Sequence, residues 1–555
     1  MNTDEAKRLA QQLVEKREPR LTVWKELRTL ILPDRGLFPD DTAEARARLS
    51  DAAKNYTNRQ CLSLRRGAGG LTGAMTPAGK PWFHLGFAAP DIDEMPGARK
   101  WLDDTEHAIG MALAGGGFYP EIHGGNKDLM GFGCMMHYVG MEESYDAEGF
   151  YQNRVHVECL QAGTYAVAVG QLFELQAVLR HVYMSASEMA RRFGTGVLSD
   201  RVLQAVDTKP HEEFLLCHLV TRRAAREPGR EDNRNMPFAS YWFEDKGEKF
   251  LAESGYREMP FFFTVWEPGI TAYGFGPADL ALPEVRTMLN YERQSAVGIE
   301  MTIDPPMRTP AAFRKRLEKW PGGVNPMNAF EREAVAPLYQ VDFLRGVSAI
   351  EQKIKELATV IDEMVYGRVF SDAIFRENPN ETATATMARV RQMAQMVSPI
   401  VSRYEDVLTG MIMRVKSLLD EAQLLPPLPE ALAGLGTMPR QLLQVSYVSP
   451  MAQALQQDAA DSTLALISNA VPLVQMNQET LDKINLDQAV DEIARGYGTP
   501  GSVVRSDQEV EAIRKARAEQ MAAMQQQAEA QAGVDMMTKA GAIPTEGTVA
   551  GKVLG

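Results

Sequence analysis

The sequence predicts an α+β fold that is mainly helical. Three observations support this prediction. Apolar residues recur at helical spacing in both terminal parts of the chain, the stretch from about 135 to 275 alternates like β-strands, and a helical hairpin occupies residues 283 to 366. With 555 residues, 45% hydrophobic and 24% charged, the chain is globular in composition. It is long enough for about three or four domain-sized units.

The N-terminal part is predicted to be helical. The apolar spacing in residues 5–32 indicates one helix, interrupted by Pro19. A second helix runs from about Asp51 to Leu71 and is expected to stop in the glycine-rich segment that begins at Gly67. A third covers residues 98–114.

The central stretch is predicted to form a sheet. The short helix 185–193 interrupts it, with Ser185 as its N-cap. The charged stretch 227–235 is predicted to be a surface loop. The expected strands lie at 154–159, 165–169, 177–183, 214–221 and 256–266.

The hairpin is the most informative local pattern. Pro283 is predicted to open its first helix, because proline is favoured in a first turn, and Pro305 and Pro306 end it. Apolar residues of the second helix alternate steps of three and four, the spacing of a seam between packed helices. An ordinary amphipathic core helix gives the same pattern, and both interpretations stay open. The stripe consists of Val347, Ile350, Ile354, Leu357, Ile361 and Met364.

The insert between the two helices is basic. Its cations could contact a protein partner or DNA phosphate, or they could form the solvated face of a short helix. These cations are Arg308, Arg314, Lys315, Arg316 and Lys319. After the hairpin, residues 370–381 are predicted to be a loop, and a methionine-rich helix follows from about Glu381 to Leu425. One strand near 444–448, helices over 450–496 and a polar helix over 506–532 complete the prediction.

No catalytic motif is present in the sequence. The segment from Gly73 to Lys80 has five residues between its glycines instead of four, and Pro81 stands where a phosphate loop needs Ser or Thr. The eight histidines lack triad or ligand spacing, and the four cysteines form no CxxC pair, which predicts free thiols in a reducing compartment. We therefore expect no enzyme activity, no metal and no cofactor.

Charge and hydropathy restrict the partners. A net charge of −14 argues against a conventional nucleic-acid binder, yet it is compatible with a protein that lets DNA pass without holding it. No apolar run approaches the roughly 18 residues that a membrane span needs, so no membrane insertion is expected.

Several blocks, in order along the chain, resemble the portal (head-to-tail connector) proteins of T7-like short-tailed bacteriophages. The resemblance covers about residues 5 to 515 and is weakest in the tail and in the insert. The blocks are Arg17-Glu-Pro, Trp24-Lys-Glu-Leu, Leu32-Pro-Asp-Arg-Gly, the stretch Gly69 to Phe83, the stretch Tyr273 to Asn290 leading to Asp304-Pro-Pro, Asn380-Glu-Thr-Ala-Thr, Pro426-Pro-Leu-Pro and Val445 to Ala452.

This resemblance implies a ring of twelve copies at one capsid vertex. The ring would conduct double-stranded DNA during packaging and ejection, and would bind terminase first and tail adaptor or nozzle proteins later. Major capsid and scaffolding proteins are implied as further partners, with internal ejection proteins as another candidate. The implied location is the virion, after assembly in the cytoplasm of the host bacterium. Two alternatives remain: a DNA-packaging enzyme subunit (terminase or nuclease), or a tail adaptor without a channel.

The resemblance also divides the chain into regions. The candidate lumen loop contains Phe375, Arg376, Glu377 and Asn378. The implied regions are a wing (1–282), a first stem helix (283–302), a clip (303–346), a second stem helix (347–369), the lumen-facing loop (370–381), a further wing part with a long helix and a strand (382–450), a crown (451–505), and a C-terminal barrel helix with a tail (506–555).

Overall fold

The structure is a computed structural model. It describes residues 1–38, 41, 55–89, 92, 95–145, 151–171, 173–227, 229–230, 232–245, 247, 249–311, 313, 316–320, 322–338, 343–367, 383–433, 442–476, 483–496, 503–505 and 510–525.

Strands are concentrated between residues 134 and 265, as the sequence pattern predicts. The sequence analysis does not predict the helix Asp200–Thr208 or the strands Phe83–Phe87, Cys134–Tyr145 and Phe238–Glu244. The helices are α1 (Thr3–Leu30), α2 (Arg59–Met75), α3 (Ala98–Gly115), α4 (Phe118–Phe132), α5 (Ala186–Phe193), α6 (Asp200–Thr208), α7 (Pro277–Ile303), α8 (Ala329–Ala334), α9 (Phe343–Met364), α10 (Ala383–Glu421), α11 (Glu430–Ala433), α12 (Pro450–Met476), α13 (Leu486–Gly496) and α14 (510–525). The strands are β1 (Phe83–Phe87), β2 (Cys134–Tyr145), β3 (Tyr151–Leu160), β4 (Tyr165–Val169), β5 (Leu175–Ser185), β6 (Glu213–Arg222), β7 (Phe238–Glu244), β8 (Phe250–Tyr256), β9 (Phe261–Val265), β10 (Met307–Arg308), β11 (Ala336–Pro337) and β12 (Leu443–Tyr447).

The chain divides into two compact units. Unit 1 comprises Met1–Leu85, Asp104–Pro426 and Val445–Leu455. Unit 2 comprises Gly86–Asp103, Pro427–Gln444 and Gln456–Gly555. Unit 1 contains the hairpin and both larger sheets.

Two antiparallel sheets organise unit 1. The larger sheet is a five-stranded meander in the order β4-β5-β6-β7-β8, and the smaller has the order β3-β2-β9. Strands β2 and β3 form a long two-stranded ribbon with Met136 opposite Leu160 and Val139 opposite Val157. Most successive antiparallel strands here are joined by short connections. The exceptions are β5 and β6, which α5 and α6 separate, and β9, which pairs with β2 across the whole five-stranded sheet in sequence.

Both faces of the five-stranded sheet are covered by helices. Ala6, Ala10 and Leu13 of α1 share one core with Leu219 and Tyr241 of the sheet. The opposite face carries a second core, in which Met189 of α5 and Val202 of α6 are packed with Leu216 and Trp242. Alternate strand residues therefore serve different cores, as the period of a strand requires.

Helix α1 runs without a break through Pro19, although the sequence predicts an interruption there. A proline inside a helix costs about 3 kcal/mol, because it removes one hydrogen bond and crowds the preceding turn. Buried contacts on both sides of the proline offset this cost. Arg17 donates from Nη1 to the carbonyls of Gly163 (2.6 Å) and Tyr165 (2.9 Å), and the indole of Trp24 donates to the carbonyl of Phe132 at 2.9 Å.

Helix α2 continues through its glycine-rich segment to Met75, so the predicted stop near Leu71 is wrong. Helix α4, which the sequence analysis does not predict, also contains glycines. A Cβ on Gly125 would lie 2.4 Å from the His137 ring, and one on Gly131 would lie 2.7 Å from Leu32. These glycines lower helix propensity but permit close packing, and here the packing prevails.

Other local predictions are confirmed. Helix α3 covers the predicted range, and Ser185 caps α5 by accepting a hydrogen bond from the Glu188 N–H at 3.4 Å. The predicted loop 227–235 is held together by Asn235, whose amide donates to the carbonyls of Glu227 and Arg230, both at 2.6 Å.

Unit 2 combines the C-terminal helices with a short earlier segment. The Phe87 and Trp101 rings stack with centroids 6.4 Å apart, and Arg99 donates to the Val504 carbonyl at 3.1 Å. Helix α14 is joined to α13 by Arg514, which contacts both carboxylate oxygens of Asp487 at 2.7 and 2.8 Å. Among the helices that the structure describes, none has the combined length and apolarity that a bilayer crossing requires.

Candidate assembly interface

The root of the hairpin is fixed in the folded body of unit 1. The Gly276 N–H donates to the Asp279 carboxylate at 2.8 Å, and the same carboxylate pairs with Arg20 of α1 at 2.9 Å. Helix α7 therefore begins at Pro277, and the predicted start at Pro283 is wrong. Pro277 already provides a first-turn proline, while Pro283 lies on an exposed position of the continuing helix. The buried residues that hold this root include Ala278, Ala281, Leu282, Val285 and Met288.

The heptad stripe of α9 divides into two rows. Helices α7 and α9 pack against each other, and Ile354 and Ile361, which are seven residues apart, are only 4% and 1% exposed. The alternate row is only partly buried; it consists of Ile350, Leu357 and Met364. The side chain of Val347 lies outside the described residues. One row is thus buried within the chain, while the other keeps apolar surface that a neighbouring protein could cover.

The end of α9 is seated on α2. A Cβ on Gly67 would lie 2.4 Å from the Val365 carbonyl oxygen and 2.7 Å from Met130. Glycine is therefore required at position 67 for this approach, while a Cβ on Gly69 in the same helix would meet nothing within 4 Å. The glycine-rich block therefore lets the end of the hairpin pack closely against α2.

The outer part of α7 has no covering layer within the described chain. Its last turns carry exposed apolar side chains, up to 79% at Ile303. The others are Val297, Ile299 and Met301. Residues at positions 297, 299, 301 and 303 do not share one helix face, so an apolar environment on several sides would suit them. Four exposed apolar side chains within seven residues make this end of α7 a candidate contact surface.

The tip segment, residues 304–342, connects the two helices. Strands β10 and β11 pair at its base, and the Leu338 N–H donates to the Pro306 carbonyl at 2.7 Å. Arg308 and Arg316 are exposed, and Lys319 forms an ion pair with Asp304 at 2.7 Å. Arg314 and Lys315 lie outside the described residues, as does the whole candidate lumen loop with Phe375, Arg376, Glu377 and Asn378.

Sequence reasoning identified the heptad stripe but missed the exposed apolar end of α7. A usable signal was present: the stretch Ala296-Val-Gly-Ile-Glu-Met-Thr-Ile places apolar residues on two opposite faces of a helix. It also missed Trp320, which is 58% exposed in the tip segment.

The four cysteines and two of the histidines, His137 and His218, are buried in the core. Burial raises the pKa of the Cys134 and Cys217 thiols to about 12 and lowers the pKa of His137 to about 4. A thiol with a raised pKa stays protonated near neutral pH and is a poor nucleophile and metal ligand. Within the described residues, no group of three or more His, Cys, Asp or Glu side chains is arranged to hold a metal ion.

These features define a structural assembly protein. A long hairpin is anchored at its root, exposes apolar side chains on the last turns of α7, and ends in a segment that contains a short basic stretch.

The chain belongs to the family described as "Bacteriophage head to tail connecting protein", whose model matches residues 3–504. This finding confirms the resemblance inferred from the sequence blocks. The chain is therefore a bacteriophage head-to-tail connector, a structural component of the virion and not an enzyme.

Two relatives are similar to this chain over nearly its whole length. One is the "Probable portal protein" of Bordetella phage BPP-1, 28% identical over 542 residues, with 96% of this chain and 94% of the relative covered. The other is the "Portal protein" of Salmonella phage epsilon15, 25% identical over 546 residues with the same coverage.

Proposed function

We propose that twelve copies of this chain form a closed ring at one capsid vertex, with the α7–α9 hairpins side by side around a central channel. The main support is the half-buried row of α9. Leu357 and its heptad neighbours retain apolar surface while the root of the hairpin is firmly held. A second copy that packs there would also cover the exposed apolar end of α7.

The channel would conduct double-stranded DNA during packaging and ejection. Each chain carries a net charge of −14, so twelve chains carry 12 × −14 = −168 formal charges. Such a ring repels phosphate on average, which lowers the affinity for DNA and favours passage over binding.

The tip segment would contact the partners outside the capsid. Its cations suit acidic surfaces, first on terminase during packaging and later on tail adaptor or nozzle proteins. In this proposal residues 283–302 and 347–369 form the stem, 303–346 the clip, and 370–381 the lumen-facing loop. Residues 1–282 and 382–450 form the wing that meets capsid and scaffolding proteins, and 451–555 form the crown and barrel, where internal ejection proteins would bind. Assembly would precede packaging, in the host bacterial cytoplasm.

Negative-stain images of the purified full-length protein test the proposal. We expect rings with twelvefold symmetry and a central hole. Solid assemblies would indicate a tail adaptor without a channel, and a persistent monomer would refute the ring. An ATPase or metal-dependent nuclease activity that co-purifies with the protein through several steps would favour a packaging enzyme subunit.

A further inference from the structure

One tryptophan differs from all the others in this protein. The chain has six tryptophans, and five of them are between 0% and 7% exposed: Trp24, Trp82, Trp101, Trp242 and Trp266. Trp320 is 58% exposed and lies in the tip segment, at the far end of the hairpin from its root. A large aromatic side chain in water at such a position is a strong indication of a contact site.

Hydrogen bonds constrain the backbone next to Trp320. The Trp320 carbonyl accepts a hydrogen bond from the Gly323 N–H at 3.0 Å, and Gly322 has φ +85°, a value that favours glycine. A Cβ on Gly323 would lie 2.9 Å from Glu318, so the turn also closes tightly on the chain that precedes it.

Side-chain hydrogen bonds of Glu318 and Asn325 stabilise the turn. The Glu318 N–H donates to the Asn325 side-chain oxygen, and the Asn325 amide donates back to the Glu318 carbonyl, both at 2.8 Å. The Val324 N–H donates to the Glu318 carboxylate at 3.1 Å. Lys319 then ties the loop to the end of α7 through Asp304 at 2.7 Å and the Pro305 carbonyl at 3.3 Å. The loop that carries the indole is therefore tied by hydrogen bonds to itself and to the end of α7.

We propose that Trp320 is the anchor with which this connector binds a tail protein, by inserting its indole into an apolar pocket that has an acidic rim. This inference rests on the proposed function of the tip segment as a docking site. A loop whose backbone is already constrained by hydrogen bonds loses less conformational freedom on binding, so more of the burial energy is realised as affinity.

The charge around the turn favours an acidic partner. Five of the six cations in the tip segment lie between Arg308 and Lys319, where Glu318 is the one carboxylate, and the other four carboxylates lie towards the two ends of the segment: Asp304, Glu331, Glu333 and Asp342. This local excess of cations, next to Trp320 in the sequence, favours an acidic partner.

Tryptophan fluorescence tests which molecule covers the indole. Because the other five indoles are buried, acrylamide quenching of assembled full-length rings should report mainly Trp320, and Trp320→Phe should remove the accessible component. We expect an accessible component in rings alone and its loss when the cognate tail protein is added. If ring assembly alone removes it, the occupant is a second copy; if short duplex DNA removes it, the occupant is nucleic acid. Either result would overturn the proposal.

Binding measurements test the energetics. The probes are the tail proteins of the same phage, each purified singly and titrated against rings. We expect Trp320→Ala to weaken binding by about thirtyfold or more, the effect of a hot-spot residue. Val324→Ala is the matched control, since Val324 is exposed in the same loop, and it should change the affinity by about twofold or less. Asn325→Ala keeps the indole but releases the loop, and should weaken binding about five- to tenfold.

The outcomes separate this inference from the proposed function. All variants should form rings with the same appearance as the unmodified protein. If a tail protein binds and Trp320→Ala binds equally well, the anchor assignment is refuted while docking at the tip stands. If no tail protein binds the unmodified rings at micromolar concentration, both this inference and the docking role of the tip are refuted. The proposed ring is tested separately, by the negative-stain images.

Discussion

Leu357 and Ile354 belong to the same heptad stripe, but replacing each with Asp should have different consequences. Ile354 is 4% exposed within one chain, whereas Leu357 is half-buried and is proposed to complete its contacts on a neighbouring copy. We expect Ile354→Asp to destabilise the hairpin of every chain, since even truncation of such a buried side chain to alanine costs about 2–5 kcal/mol. Leu357→Asp should leave the chain folded and impair the ring.

The magnitude for Leu357→Asp follows from the geometry of a closed ring. A ring has one interface per copy, so the concentration at which rings form changes by the factor for a single interface. An unpaired polar group buried in an apolar contact costs about 2–3 kcal/mol. At 1.4 kcal/mol per factor of ten, the assembly concentration should rise about 30- to 150-fold.

Sedimentation velocity over a range of concentrations measures this shift, and circular dichroism confirms that the chain is folded. Thr359→Asp is the control, because Thr359 is exposed on the same helix, on the side away from the stripe. The substitution adds the same negative charge as Leu357→Asp. If Leu357→Asp and Thr359→Asp assemble at the same concentration as the unmodified protein, Leu357 is not at a subunit contact and the ring model of the stem is wrong.

Three further predictions concern packing, pH and salt. Gly67→Ala should destabilise unit 1, because its Cβ would lie 2.4 Å from the Val365 carbonyl, while Gly69→Ala should stabilise α2 by about 0.5–1 kcal/mol; thermal unfolding of the two variants should shift in opposite directions. Burial lowers the pKa of His137 to about 4, so its contribution to stability is complete above the unfolded value of about 6.5 and is lost as pH falls towards 4. Urea unfolding should show a loss of about 2 kcal/mol from this residue between about pH 7.5 and about pH 5, and His137→Gln, which cannot take up the proton, should show a smaller decline. Added salt should promote ring formation, because it screens repulsion between chains of net charge −14, and should weaken tail-protein binding at the basic tip; equal responses in sedimentation and binding assays would contradict this difference.

The sequence predicted elements whose cause is local. The alternation of strands between 134 and 265 and the apolar stripe of α9 both arise because one face of each element is buried, and such a face leaves a period in the sequence. The prediction failed where a distant partner compensates for an unfavourable residue. Pro19 is tolerated because Arg17, two residues before it, donates a hydrogen bond to the carbonyl of Gly163. The glycine-rich part of α2 stays helical because the absence of a Cβ at Gly67 lets the Val365 carbonyl pack closely against the helix. The residue itself carries no sign of that partner.

The candidate interface was predictable to a similar extent. The stripe of six residues was visible, but its division into a buried row and a half-buried row depends on where α7 lies, which the sequence does not reveal. Trp320 shows the same limit. Its neighbours Pro321, Gly322 and Gly323 indicate a turn, whereas its exposure and the reciprocal bonds between Glu318 and Asn325 emerge only from the folded loop.

The distribution of stability along the hairpin explains how one chain can be both folded and ready to assemble. The root of the hairpin is held within unit 1 by the ion pair between Arg20 and Asp279 and by the close packing of α9 against Gly67. The position of the root therefore does not depend on a neighbouring chain. Towards the tip, burial within the chain decreases, and Ile303 and Trp320 stay in contact with water. Because the outer apolar surface is already positioned, a neighbour or partner that covers it gains burial energy without first ordering the backbone. In the proposed ring, this gradient would let the chain contact its own copies along the stem and a different protein at the tip.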